Sequence, residues 1–114
     1  MRREVGPVLD EMLLTIGVIE AALVDRTRED FGNDAILRLA VQRAIEIISE
    51  ASRHIPDELL QRAPHIPWRS IRGMGNILRH EYHRIADDII WHVAIDDLPR
   101  LKAVLSLHSM TAQR

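Results

Sequence analysis

Apolar residues return at every third or fourth position along nearly the whole chain, and they do not alternate with polar ones between turn signals. That spacing gathers them on one face of a helix, so the chain predicts an all-α fold. Val8, Leu9, Met12, Leu13, Ile16, Ile19, Ala22 and Leu23 make a first stripe, with Pro7 suited to its first turn and an end near Asp25. Gly32-Asn33-Asp34 marks a boundary, with Asn33 or Asp34 as cap of a second long stripe from Ile36 to Ala51. Pro56 disfavours helix in the residue before it and should end this element near His54. Residues 57 to 64 allow one short helical turn, Pro64-His65-Ile66-Pro67 is a rigid connector, and a third helix is expected from Trp68 to about His80. The stretch from His83 to Val93 reads as a fourth, joined to the third or separate from it. Asp97 is expected to cap a last helix with Pro99 in its first turn. Short connections between such elements predict an antiparallel helical bundle of four to five helices, with functional groups on helices or at their junctions.

A length of 114 residues suits one domain over 1–114 with a single hydrophobic core. The chain has no cysteine, which removes thiol nucleophiles, thiolate metal sites and disulfides and agrees with a cytoplasmic, reducing location. No run of about eighteen apolar residues occurs, and the first residues lack the apolar stretch of a signal peptide, so no membrane association is expected. A net charge of −2 argues against indiscriminate nucleic-acid binding, but the charge is unevenly spread. Residues 1 to 64 hold 8 basic and 12 acidic side chains, and residues 65 to 114 hold 7 and 5. Within 69 to 84 stand Arg69, Arg72, Arg79 and Arg84 against Glu81 alone. This is either a local anion site or a solvated helix face.

The segment from Gly73 to Tyr82 concentrates the chemistry. At about 100° per residue, and with Arg72 as origin, Arg79, His83, Asn76 and His80 all fall within about 80° of it on one face. Tyr82, the single tyrosine, lies apart unless the helix breaks between Glu81 and His83. Histidine titrates near ambient pH, so it suits taking a proton from a ribose 2′-hydroxyl or giving one to a leaving 5′-oxygen. Arginine stabilises phosphorane-like charge through a planar donor fork, asparagine orients phosphate or imidazole, and tyrosine contacts phosphate or stacks on a base. Surface decoration of a helix is the plainer reading of the same spacing. Gly73 and Gly75 each weaken a helix interior by about 1 kcal/mol relative to alanine, which calls for close approach of a ligand phosphate or tight packing against the second long helix.

The remaining polar residues have structural readings. Trp68 and Trp91 suit core or interface anchors. His80, His83 and Asp87 share one side of a helix at metal-ligand spacing, but Arg79 and Arg84 stand beside them and repel a cation, so no metal or other cofactor is expected. His54, His65 and His108 fall near helix ends, and Asp87-Asp88 and Asp96-Asp97 read as solvated or capping groups.

The stretch from Trp68 to Leu101, WRSIRGMGNILRHEYHRIADDIIWHVAIDDLPRL, resembles the HepT-like ribonucleases of the HEPN superfamily. The likeness includes Trp68 before the third helix, Asn76 followed by His80-x-Tyr82, the Ile90-Trp91 pair and the Leu-Pro-x-Leu from Leu98 to Leu101. Upstream, Ala44-Ile45-Glu46-Ile47-Ile48 and the two long helices extend it over nearly the whole chain. The resemblance implies a helical homodimer with the motif at a cleft between protomers. It also implies a metal-independent RNase toxin acting on RNA and paired with a small nucleotidyltransferase antitoxin. Carried over, His80 is the general acid and base, Asn76 its polar partner, and Tyr82 a phosphate contact and adenylylation target. The family's arginine usually stands directly before the asparagine, and here that place is Gly75. Arg79, adjacent to His80, is the preferred substitute, with Arg72 as the alternative. The missing arginine also leaves open a non-catalytic domain that scaffolds or binds beside its nucleotidyltransferase.

Overall fold

The computed structural model describes residues 4–81 and 87–112. Tyr82, His83 and Arg84 lie outside them. Among the described residues every regular element is helical: α1 Val5–Leu23, α2 Arg28–Asn33, α3 Ala35–Ser52, α4 Asp57–Leu60, α5 Trp68–Glu81, α6 Asp87–His92 and α7 Leu98–Ala112, with a π-helical segment at Val93–Asp97 between the last two. The four long helices pack in a chain of neighbours, α5 on α3, α3 on α1 and α1 on α7, while α6 returns across α3 and α2. Their buried stripes meet in one core that includes Met12, Ile16 and Ile19 of α1, Val41, Ile45 and Ile48 of α3, Ile71 and Leu78 of α5, and Leu101 and Leu105 of α7.

The boundaries follow the expected chemistry at most points. Asp34 caps α3 by accepting the Leu37 N–H at 3.0 Å, and α3 ends at Ser52, before Pro56. Two features depart from expectation. First, α2 fills what reads as linker. It starts with a reciprocal cap in which Thr27 Oγ1 accepts the Asp30 N–H and Asp30 accepts the Thr27 N–H. The Thr27 N–H and then its hydroxyl hold the Asp30 carboxyl below its usual range, so this cap is intact at neutral pH and is lost as acid protonates Asp30. Six residues with one buried apolar side chain, Phe31, are too few to show a periodicity. Asp25 turns the chain into this cap at φ 60°, a left-handed conformation that aspartate tolerates.

Second, Asp97 does not cap a separate last helix. The chain stays helical from α6 into α7, and the Leu98 N–H donates to the Val93 carbonyl, five residues back. Pro99 has no N–H to give the carbonyl of Ile95 and its ring crowds that turn, so a widened turn accommodates it without ending the helix.

α2 is held to α6 by Phe31, fully buried and 5.5 Å from the Trp91 ring centroid, and by an ion pair from Arg28 to Asp88 at 2.6 Å, while Arg38 of α3 pairs with Asp87 of α6 at 3.6 Å. Asp87 and Asp88 are thus partners of α2 and α3, not merely solvated groups. The exposed pairs contribute on the order of 0–1 kcal/mol each, so the aromatic contact dominates. Phe31→Ala is expected to lower unfolding free energy by about 3 kcal/mol in a urea titration, and Asp88→Ala by less than about 1 kcal/mol. Equal losses would contradict this ranking.

Candidate active site

Burial of one side of α5 decides what its other side presents. Ile71, Gly75 and Leu78 are buried and Trp68 and Met74 half-buried, which leaves Asn76, Ile77, Arg79 and His80 exposed. Asn76 and His80 stand one turn apart in the middle of the outward face, and Arg79 lies on its flank toward α3. Arg79 lines a cleft of about 270 Å³ together with Glu11 of α1 and Arg43, Glu46, Ile47 and Glu50 of α3; His80 does not line it. Asn76, Arg79 and His80 have no hydrogen-bond or ion-pair partner among the described residues.

The two arginines weighed as substitutes occupy different environments. Arg72 is half-buried, with Nε donating to the Ser52 carbonyl at 3.3 Å and Nη2 to the Ile55 carbonyl at 3.0 Å. These carbonyls lie at and just beyond the end of α3, where the helix lacks internal donors and a cation is favoured. Arg72 therefore ties α5 to the end of α3, whereas Arg79 points to an open cleft.

Gly73 and Gly75 also differ. Ser49 of α3, 1% exposed, accepts the Gly75 N–H at 3.0 Å and donates to the Arg72 carbonyl at 2.9 Å. The Arg53 Nη2 reaches the same carbonyl at 3.2 Å. A Cβ on residue 75 would stand 2.9 Å from Ser49 Oγ and 3.1 Å from Ser49 Cβ. Packing against the second long helix accounts for Gly75, and an arginine there would push α5 away from α3. A Cβ on residue 73 would meet nothing within 4 Å.

Two residues were not singled out in the sequence and gain meaning here. Ser49 interrupts an apolar stripe, which is the signal that would have marked it. Arg69, exposed, joins Gly73, Asn76 and His80 in a row at i, i+4, i+7 and i+11, a spacing that the sequence carries as well as the charge. Among the described residues no group of three His, Asp or Glu side chains is placed to hold a metal. Tyr82 and His83 lie outside those residues.

A family model described as ribonuclease HepT-like matches residues 12–107, from α1 through α5 into α7. The chain belongs to the HepT-like ribonuclease family. It is 34% identical over 101 residues to a Methanocaldococcus jannaschii protein named a putative RNase, covering 89% of this chain and 93% of that one. It is 35% identical over 102 residues to the probable ribonuclease HepT of Thermococcus cleftensis, covering 90% and 93%. A longer M. jannaschii protein, named a gamma-glutamylcyclotransferase and putative RNase, is 37% identical over 102 residues; the match covers 90% of this chain but 46% of that relative, so the chain spans about half its length. No solved structure matches.

The two glycines should respond oppositely to a methyl group. Gly73→Ala is expected to raise stability by about 1 kcal/mol, and Gly75→Ala to lower it. Ser49→Gly should recover most of the Gly75→Ala loss in a double-mutant cycle. Additive losses would mean that the two positions do not share space.

Proposed function

We propose that this chain is a metal-independent RNase toxin in which His80 is the general acid and base. The observation that carries the reading is the outward face of α5, where Asn76 and His80 stand together, flanked by Arg79, with no internal partner among the described residues. In this reading His80 takes the proton of a ribose 2′-hydroxyl as that oxygen attacks phosphorus. The bond to the 5′-oxygen breaks, the protonated His80 gives its proton to that leaving oxygen, and a 2′,3′-cyclic phosphate and a 5′-hydroxyl end result. Arg79 stabilises the charge that builds on the phosphoryl oxygens, and Asn76 orients phosphate or imidazole. Tyr82 is the phosphate contact and the adenylylation target of a small nucleotidyltransferase antitoxin.

Arg72 is the weaker candidate because its guanidinium is engaged with two carbonyls. The exposure of His80 supports a homodimer: an imidazole on a convex helix face lacks walls to exclude water, and a second copy laid across it would supply them. Ile77, 43% exposed beside this row, is an apolar contact for such a copy. One observation favours the second reading, a non-catalytic scaffold or binding domain. The place of the family's arginine is buried against Ser49 and holds none.

Cleavage of RNA by the purified wild type in EDTA separates the readings. His80→Ala should abolish cleavage with an unchanged melting temperature. Arg79→Ala should lower kcat by about a hundredfold, while Arg72→Ala should mainly lower stability, by about 1–3 kcal/mol. Undiminished cleavage by a clean His80→Ala preparation would sink the assignment, and a wild type that binds its partner but never cleaves RNA would favour the scaffold.

A further inference from the structure

We infer that Arg69, Gly73 and Asn76 form a binding track along α5 for the single RNA strand that runs to His80, with Arg69 holding a phosphate remote from the scissile one. This rests on the ribonuclease reading and says where the rest of the substrate lies. Three observations on the same helix face support it. Arg69 is exposed and has no hydrogen-bond or ion-pair partner among the described residues, so its donor fork is available. Gly73, between Arg69 and Asn76, is a helix-interior glycine that neither packing nor a positive φ explains: a Cβ there meets nothing within 4 Å, and no described glycine has positive φ. A bare backbone at that point allows a strand to lie close against the helix. From Trp68 to His80 the sequence contains no Asp or Glu, and Glu81, the last residue of α5, comes after the row.

The spacing matches an extended ligand better than a single bound anion. Arg69 and His80 are separated by eleven residues, about 16 Å along the helix axis. One phosphate held at His80 cannot also meet Arg69, so the row requires a ligand of a few nucleotides. The glutamates near Arg79 belong to the cleft on the α3 side of the helix and do not interrupt the row.

Binding of a labelled single-stranded RNA oligonucleotide, measured by anisotropy against salt concentration in a His80→Ala background, tests the track without cleavage. Arg69→Ala should weaken binding and reduce the salt slope by about 0.7, the value of one lost phosphate contact on a single strand. Gly73→Ala should weaken binding at least about threefold even though the same change raises the melting temperature. A dinucleotide should be insensitive to Arg69→Ala. Arg100→Ala, on α7, should leave the slope unchanged. The track is overturned if Arg69→Ala leaves the slope intact, or if Arg69→Ala and Arg100→Ala act alike. Loss of nucleotidyltransferase binding on Arg69→Ala, with RNA binding unchanged, would assign the row to the protein partner and overturn it as well. A wild type that binds RNA with the Arg69-dependent slope yet does not cleave would refute the ribonuclease reading and leave the track standing.

Discussion

Where α5 crosses α3, the buried hydroxyl of Ser49 reaches a stretch of helix backbone that no side chain covers. It accepts from the Gly75 N–H and donates to the Arg72 carbonyl, and the absence of a Cβ at 75 is what permits the approach. Arg72 adds a second tie one turn earlier through the carbonyls of Ser52 and Ile55. Together these contacts set how deep α5 lies and how far it is rotated. The rotation puts Ile71 and Leu78 in the core and turns Asn76 and His80 to the outside. The identity of residue 75 is thus a packing constraint before it is a catalytic one.

This constraint changes the meaning of the missing arginine. A guanidinium cannot be placed at position 75 without displacing Ser49, so an arginine that serves the face has to come from another position. Arg72 is half-buried and bonded to backbone, and Arg79 opens to a cleft between α1, α3 and α5. The cleft also holds three glutamates and Arg43, so Arg79 sits in a mixed field that tempers its charge. The face is open to solvent, which would leave the proposed histidine chemistry poorly shielded from water, and a second protein surface laid over it would supply that shield.

The long helices were legible because burial imposes a period on apolar residues, and α1, α3 and α5 follow their stripes closely. α2 was not, since a six-residue helix around one phenylalanine leaves no period to read. Pro99 stands in the first turn of α7 as its sequence predicts, and only the cap at Asp97 departs, because the chain is already helical there. Proline signals a helix start equally well when the preceding turn widens to absorb it, and the Asp96-Asp97 pair imitates a cap. At the site, the side chains facing outward could be placed by counting at about 100° per residue, as for Asn76 and His80. What Gly75 and Arg72 touch could not, because both depend on which residues of α3 lie opposite, a pairing that no local pattern encodes.

The chemistry of the cut ends tests the account most directly. Incubation of a defined single-stranded RNA with the wild type in excess EDTA, followed by analysis of the fragment termini, should give 2′,3′-cyclic phosphate and 5′-hydroxyl ends, and none with His80→Ala. Ends bearing 3′-hydroxyl and 5′-phosphate, or cleavage that requires an added divalent cation, would contradict it.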